Sequence, residues 1–381
     1  MGPLNGLKII EISGIGPGPF AAMLLADMGA EIIAIERVGG GTFNLNPKFD
    51  FANRNKKTIV LNLKKPEGAA IAKKLIADAD GLLEGFRPGV MEKFGLGPDV
   101  CLQLNPKLVY GRITGWGQTG PLAHRAGHDI NYIAQAGCLF PIGRKGGKPA
   151  IPLNILADYA GGAQLAAYGM VCALFEASRS GKGQVMDAAM IDGAAQLYGP
   201  MFAFQQTGFW NEARGTNVLD GGAHFYDVYE TADGHYVAIG AVEPQFYAVL
   251  LQALGLDPAE LPDQWDQSQW DAMKERFTTI FRNKTREEWC RIFAGRDACF
   301  APVLSLAEAM NNADNHERQL FITVDEVQHP APAPRFSRTP IHIAHGARPL
   351  GTDTVSVLQA SGYTDAEITQ FLANGIAAAA Q

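Results

Sequence analysis

The first part of the chain, residues 1–115, alternates short apolar runs with amphipathic runs, and this alternation constrains the fold most. Leu7–Ile12, Glu31–Glu36, Thr58–Leu63, Gly81–Glu84 and Leu108–Thr114 are predicted strands. Two predicted helices, Phe20–Met28 and Pro66–Ala77, lie between them. Strands that alternate with helices favour a mostly parallel sheet covered on both faces. The sequence therefore predicts an α/β fold with a Rossmann-like sheet.

The later part of the chain changes in character. Tyr159–Ala177 is nearly uncharged and rich in Ala and Gly, which predicts a closely packed helix. After Gly221 and Gly222, two aromatic-rich runs flank Ala232-Asp233-Gly234, which predicts a β-hairpin. We expect a second, smaller domain to begin there.

Charge and cysteine usage exclude several classes of protein. The net charge is −7, which argues against a nucleic-acid-binding protein, although residues 31–75 hold nine Lys/Arg against four Asp/Glu and favour an anionic ligand. The five cysteines lack CxxC spacing, which indicates a reducing, cytoplasmic compartment. No long apolar run or signal peptide is evident, so we expect a soluble protein without a membrane partner.

One glycine-rich turn imitates a dinucleotide-binding fingerprint. Gly14-Ile15-Gly16-Pro17-Gly18-Pro19 follows the first strand, and Glu36 ends the next strand. Pro19 stands where the fingerprint needs its third glycine, and two prolines remove backbone N–H donors. A rigid strand-to-helix turn explains the motif better than a nicotinamide cofactor.

Three titratable residues are candidates for proton-transfer chemistry. His128 follows Gly127, Asp158 lies near the start of the apolar helix, and Glu243 follows the hairpin. Each also has a structural explanation: a loop or capping histidine, an N-cap aspartate and a helix-initiating acid beside Pro244. Neither metal-ligand spacing nor a GxSxG motif occurs, so we expect no metal site.

Motifs along almost the whole chain resemble the family III CoA transferases. These motifs are Gly16-Pro17-Gly18-Pro19, Asp27-Met28-Gly29-Ala30, Asn53-Arg54-Asn55-Lys56-Lys57, Gly85-Phe86-Arg87-Pro88-Gly89, Gly115-Trp116-Gly117-Gln118-Thr119-Gly120-Pro121, Ser337-Arg338-Thr339-Pro340 and Leu350-Gly351-Thr352-Asp353-Thr354. Within that family, Gly127-His128-Asp129 resembles the α-methylacyl-CoA racemase branch, because transferases usually carry another residue at the histidine.

The resemblance implies an architecture. It implies a large, discontinuous domain over residues 1–190 and 336–381, linkers over 191–224 and 319–335, and a small α+β domain over 225–318. It also implies a homodimer of two chains interlocked as rings.

The resemblance further implies residue roles. His128 and Asp158 would flank the substrate's α-carbon, and Glu243 would support the histidine. The residues implied to bind CoA are Arg37, Arg54, Lys64, Gly85, Phe86, Arg87, Lys93, Asp129 and Tyr132. Coenzyme A would belong to the substrate, so no separate cofactor is expected.

The resulting hypothesis is racemisation of 2-methylacyl-CoA thioesters in fatty acid metabolism, by proton transfer at the α-carbon through an enolate. The alternative is a CoA transferase in which Asp158 becomes acylated. A third hypothesis is a non-catalytic acyl-CoA-binding protein. The sequence does not identify the acyl chain.

Overall fold

The computed structural model describes residues 2–40 and 46–380. The chain divides into two compact units. The first unit contains Met1–Ala136, Leu153–Leu197 and Arg318–Gln381, and the second contains Gly137–Pro152 and Tyr198–Glu317.

The strands are β1 Lys8–Ile12, β2 Glu31–Glu36, β3 Lys57–Leu61, β4 Gly81–Glu84, β5 Val109–Thr114, β6 Gln184–Ala189, β7 Tyr226–Glu230, β8 Tyr236–Gly240, β9 Phe300–Pro302, β10 Phe321–Val324, β11 Val327–Pro330 and β12 Ala377–Ala378. The α-helices are α1 Pro17–Asp27, α2 Pro66–Ala77, α3 Val90–Lys93, α4 Pro98–Leu104, α5 Asp129–Gln135, α6 Leu165–Ser180, α7 Met190–Leu197, α8 Gly199–Gln206, α9 Pro244–Leu254, α10 Trp270–Phe281, α11 Arg286–Phe293, α12 Leu306–Asn311, α13 Ala313–Glu317, α14 Thr354–Ala360 and α15 Asp365–Ala373. A π-helix, Ile155–Gln164, runs directly into α6.

The first unit is built on a seven-stranded sheet in the order β12-β3-β2-β1-β4-β5-β6. Strands β1 to β6 pair in parallel, and β12 pairs antiparallel with β3. Ile10 lies beside Ile33 on one side and Leu82 on the other, and all three are buried. A parallel sheet buried on both faces needs such continuous apolar runs. The predicted mostly parallel α/β fold is confirmed.

The strand order reverses direction between β1 and β4. From β1 the chain adds β2 and then β3 on one side, and returns to add β4 and β5 on the other. Loops at the carboxyl ends of β1 and β4 therefore diverge and leave a crevice, which is where open α/β sheets bind ligands.

Two helices begin earlier than the sequence indicated. Helix α1 begins at Pro17, three residues before the predicted Phe20, because proline is accommodated in the first helical turn. The predicted Tyr159–Ala177 helix begins at Ile155 as the π-helix and ends at Ser180. Gly181 follows with a left-handed backbone (φ 73°), which terminates α6.

The second unit packs helices against the antiparallel strands β7, β8 and β9. The predicted hairpin is confirmed, since Tyr226 pairs with Gly240 and the Thr231 N–H donates to the His235 carbonyl at 2.9 Å. Its core is aromatic, with Phe277 and Phe281 fully buried. This core is separate from the apolar cluster beneath the first unit's sheet.

Among the described residues, no helix is both long and apolar enough to cross a membrane.

Candidate active site

A cavity of about 720 Å³ opens along the carboxyl ends of the first unit's parallel strands. The segments after β1, β4 and β5 line it, namely Gly14–Gly16, Gly85–Pro88 and Gly115–Trp116. All of its lining residues belong to the first unit. The cavity thus occupies the crevice that the strand order creates.

His128 and Asp158 both line this cavity. His128 directly precedes α5, and its backbone N–H donates to Asn131 Oδ1 at 3.1 Å, which fixes the start of that helix. The imidazole is exposed, whereas Asp158 is half-buried. The predicted pair is therefore brought to one site from segments 30 residues apart in sequence.

The surroundings of Asp158 change the pKa of its carboxyl group. Its burial raises its pKa above the usual value, and the nearby charge of Asp129 acts in the same direction. A hydrogen bond from Asn154 Nδ2 (3.2 Å) and the charge of His128 lower the pKa. A carboxyl with a raised pKa is better matched to accepting and returning a proton near neutral pH.

Asp129 holds the backbone that carries Asp158. Its side chain is 2% exposed, and Oδ2 accepts the backbone N–H groups of Ala157 (2.6 Å) and Asp158 (2.8 Å). These donors lie at the start of the π-helix, where N–H groups lack partners within the helix. The N-cap explanation of Asp158 is wrong, because Asn154 precedes this helix and Asp129 supplies the acceptor. The two N–H groups are consequently not free to stabilise an oxyanion.

Tyr132 packs near Asp158, at the end of the cavity that is proposed below to be catalytic. Its ring contacts Trp116 edge-on at 4.8 Å, and its hydroxyl donates to the Gly127 carbonyl at 2.5 Å. A Cβ on Gly115 would overlap the Tyr132 ring, so glycine is required there. Burial, followed by the charge of Asp158, raises the pKa of Tyr132 to about 12, which keeps this hydroxyl a neutral donor.

The π-helix packs closely against α7. A Cβ on Gly193 would overlap the Gly161 carbonyl oxygen, and one on Gly162 would meet the Met190 side chain. This close approach fixes the depth of the π-helix and hence of Asp158. Single-turn π-bulges in α-helices occur often at functional sites. Here a longer, ten-residue π-helix carries the Asp158 carboxylate.

Comparison with known proteins identifies the family. Residues 4–354 match the sequence model of CoA-transferase family III. The chain belongs to this family. It is 47% identical to a Mus musculus protein named alpha-methylacyl-CoA racemase, over 96% of this chain and 95% of that protein. The Homo sapiens protein of that name is 45% identical over 96% of this chain and 95% of its own length.

A solved structure agrees with the fold. A CAIB/BAIF family protein from Brucella suis matches with a TM-score of 0.83, at 24% identity, over 94% of this chain and 99% of that chain.

Seven of the nine residues implied to bind CoA fall into two groups. Gly85, Phe86, Arg87 and Tyr132 line the cavity. The second group lies outside its described lining: the Arg37 side chain donates to the Gly40 carbonyl at 2.5 Å, Lys64 follows β3, and Lys93 ends α3. Asp129 is buried and has the structural contact described above.

Arg54 has structural contacts within the chain, whereas its expected CoA contact stays a prediction. Its guanidinium is 3% exposed and forms a 2.6 Å ion pair with Asp27, which is equally buried, and Nη1 donates to the Pro330 carbonyl at 2.8 Å. Because these donors are already engaged away from solvent, direct contact of Arg54 with CoA phosphates is not supported.

Glu243 lies in the second unit, directly before α9, and has no side-chain capping bond to that helix. Its support of His128 stays a prediction.

Sequence reasoning missed several residues of the cavity wall. They are Glu36, Asn53, Arg125 and Arg348. Glu36 had a usable signal, since it ends a strand of the parallel sheet. Arg348 had none, because it reaches the cavity from the C-terminal segment, far from the other lining residues in sequence.

Among the described residues, no cluster of His, Cys, Asp and Glu is arranged to hold a metal ion.

Proposed function

We propose that this chain racemises 2-methylacyl-CoA thioesters by proton transfer at the α-carbon. The observation that carries the proposal is the convergence of His128 and Asp158 on one cavity of a family III fold. Two relatives with 45–47% identity over nearly the full chain are named alpha-methylacyl-CoA racemase. An imidazole and a carboxyl facing one cavity supply the two proton carriers that inversion requires.

The mechanism uses both groups alternately. One group removes the weakly acidic α-proton, the thioester becomes an enolate, and the other group returns a proton to the opposite face. Asp158 suits this exchange because burial brings its pKa towards the working pH. Glu243 is proposed to orient the His128 ring, and substrate handedness decides which group acts as base.

The CoA part of the substrate is proposed to extend from the catalytic end towards the ends of β1 and β4. Gly85, Phe86 and Arg87 lie on this route. Arg37, Lys64 and Lys93 are proposed to meet the phosphates from outside the described lining. Arg87 already interacts electrostatically with Tyr132, which places a positive charge near the catalytic end.

We propose that the chain forms an interlocked homodimer. Tyr168 and Phe175 lie on one side of α6 with 68% and 64% of their surface exposed, and β6 ends the sheet beside that helix. A second copy of the chain is the proposed occupant, because large exposed apolar faces favour stable association. Sedimentation of the purified chain as a dimer supports this proposal, and a monomer contradicts it.

A cytoplasmic location is proposed for the same chain. The exposed thiols of Cys172 and Cys299 suit a reducing compartment. The proposed role is in fatty acid metabolism.

One incubation tests the proposed reaction. A single enantiomer of a 2-methylacyl-CoA is incubated with the protein in deuterium oxide, while α-deuterium uptake and chirality are followed together. Deuterium uptake with loss of optical purity is expected. Transfer of labelled CoA to a free carboxylate, without uptake, would instead establish a transferase with Asp158 as nucleophile. Binding without either reaction would leave an acyl-CoA-binding protein.

A further inference from the structure

Glu36 lies in the cavity wall at the carboxyl end of β2. It ends β2, is 8% exposed, and belongs to the cavity lining. The catalytic end lies beyond β5, where Trp116 packs on Tyr132. The strands in between are β1 and β4, so three strand spacings, roughly 15 Å, separate the two ends. The end of β2, which carries Glu36, is therefore separated from the end of β5 by the width of about three strands.

The groups around Glu36 disfavour its ionised form. Its own burial and the charge of Glu11 raise the pKa of Glu36 to about 7, and Asp50 adds to this effect. Ser13 and Lys56 act in the opposite direction. Glu11 lies in β1 and Ser13 in the turn after it. Asp50 lies between the short 3₁₀-helices Pro47–Phe49 and Phe51–Asn53, and Lys56 directly precedes β3.

Lys56 does not neutralise Glu36, because its ammonium is already engaged. Lys56 is fully buried, and Nζ donates to Glu11 Oε2 at 2.7 Å and to the Pro19 carbonyl at 2.8 Å. At the same strand ends, Glu11 Oε1 is buried without a described hydrogen-bond partner. Buried polar atoms are normally paired, so one acceptor in this wall is unsatisfied.

We propose that protonated Glu36 donates a hydrogen bond to an oxygen of the CoA part of the substrate, and that ionisation of Glu36 weakens substrate binding. The inference rests on the proposed function insofar as the cavity accepts an acyl-CoA. A neutral carboxyl can approach a phosphate, hydroxyl or carbonyl oxygen as a donor. An ionised carboxylate has no proton to donate and repels phosphate. Substrate binding above neutral pH then takes up one proton from solvent.

The test compares wild type with Glu36→Gln and Glu36→Met. KM and kcat for α-proton exchange, and Kd by calorimetry, are measured for one 2-methylacyl-CoA between about pH 6 and pH 8. For wild type, KM and Kd are expected to rise up to about tenfold across this range. The Gln side chain keeps an amide donor at every pH, so the Kd of Glu36→Gln is expected to change less with pH than the Kd of wild type. The Met side chain has no donor, so the Kd of Glu36→Met is expected to exceed the low-pH Kd of wild type at every pH. The kcat profile is expected to be the same in all three.

Glu31→Gln is the matched control. Glu31 begins the same strand, is partly exposed and pairs with Lys57 at 2.5 Å, outside the cavity lining. The Kd of this variant is expected to equal that of wild type at every pH. Any pH effect that arises from ionisation of the CoA phosphates is expected to be the same in all variants. A wild-type Kd that does not change with pH, or an equal rise in Glu36→Gln, overturns the proposal. Absence of α-proton exchange in every variant contradicts the proposed racemisation, whereas calorimetry still decides the role of Glu36.

Discussion

Replacing Asp129 with alanine tests how Asp158, the carboxylate proposed to be catalytic, is positioned. The substitution removes the acceptor for two buried N–H groups, those of Ala157 and Asp158. Each unsatisfied buried donor costs about 1–3 kcal/mol, and relief of the buried charge of Asp129 offsets part of that cost. We expect a loss of about 2–4 kcal/mol in the free energy of unfolding.

The assay is urea-induced unfolding followed by circular dichroism, with Asp78→Ala as the control. Asp78 belongs to the same unit, but its carboxylate is exposed and pairs with Lys8 on the surface at 2.6 Å. Loss of an exposed pair costs up to about 1 kcal/mol. If Asp129→Ala unfolds at the same urea concentration as Asp78→Ala, the positioning role assigned to Asp129 is refuted.

Asp129→Asn separates the charge from the hydrogen bonds, since an amide oxygen still accepts an N–H. Because the charge of Asp129 helps to raise the pKa of Asp158, the variant lowers that pKa. Asp158 then remains an ionised base to lower pH. In the pH–rate profile of α-proton exchange, the acidic limb is expected to move to lower pH for the enantiomer on which Asp158 acts. An unmoved limb in a folded variant contradicts this electrostatic coupling.

Three further substitutions test other parts of the structure. Glu36 has a pKa of about 7 when folded and about 4.5 when unfolded, so folding takes up a proton between these values and stability falls as pH rises through them. The stability of Glu36→Gln relative to wild type should therefore grow by about 3 kcal/mol between pH 4 and pH 8 in urea titrations. Gly193→Ala, which forces α7 away from the π-helix, should lower the free energy of unfolding by about 1–3 kcal/mol and should also lower kcat. Gly199→Ala, whose Cβ would lie in open space, should change neither quantity. Asp27→Ala, which leaves Arg54 buried without its partner, should cost about 3–5 kcal/mol in thermal or urea unfolding.

Local patterns in the sequence were sufficient to predict five of the seven strands in the first unit's sheet, β1 to β5, but not β6 or β12. These five strands are short apolar runs bounded by Gly, Pro and charged residues, and the structure places β1 to β5 within two residues of the predicted ends. The hairpin after Gly222 was equally readable, because Ala232-Asp233-Gly234 is a local turn signal. In both cases the information lies within a few neighbouring residues.

The positions of His128 and Asp158 in one cavity followed from motif resemblance, because no local pattern connects them. The contact from Asp129 to Ala157 spans 28 residues, and the pair of Arg54 with Asp27 spans 27. In the sequence, each residue of these pairs is indistinguishable from an ordinary polar residue. Only the fold brings the two residues of a pair into contact. The basic character around Arg54 indicated an anionic ligand, whereas its nearest anion is a carboxylate of the chain itself.

Local sequence patterns also did not predict the π-helix. Apolar composition predicted a helix near Tyr159, but its start at Ile155 depends on Asp129 accepting the first N–H groups. Tertiary contacts of this kind override propensity at helix ends.

The central claim is that His128 and Asp158 act on opposite faces of the α-carbon. The most direct measurement follows α-deuterium exchange and optical purity for each pure enantiomer with His128→Asn and with Asp158→Asn. Each variant is expected to lose racemisation by at least about 100-fold, yet to retain α-deuterium exchange without inversion for one enantiomer, a different one in each variant. Racemisation at the wild-type rate by either variant, or retained exchange on the same enantiomer in both, contradicts the account.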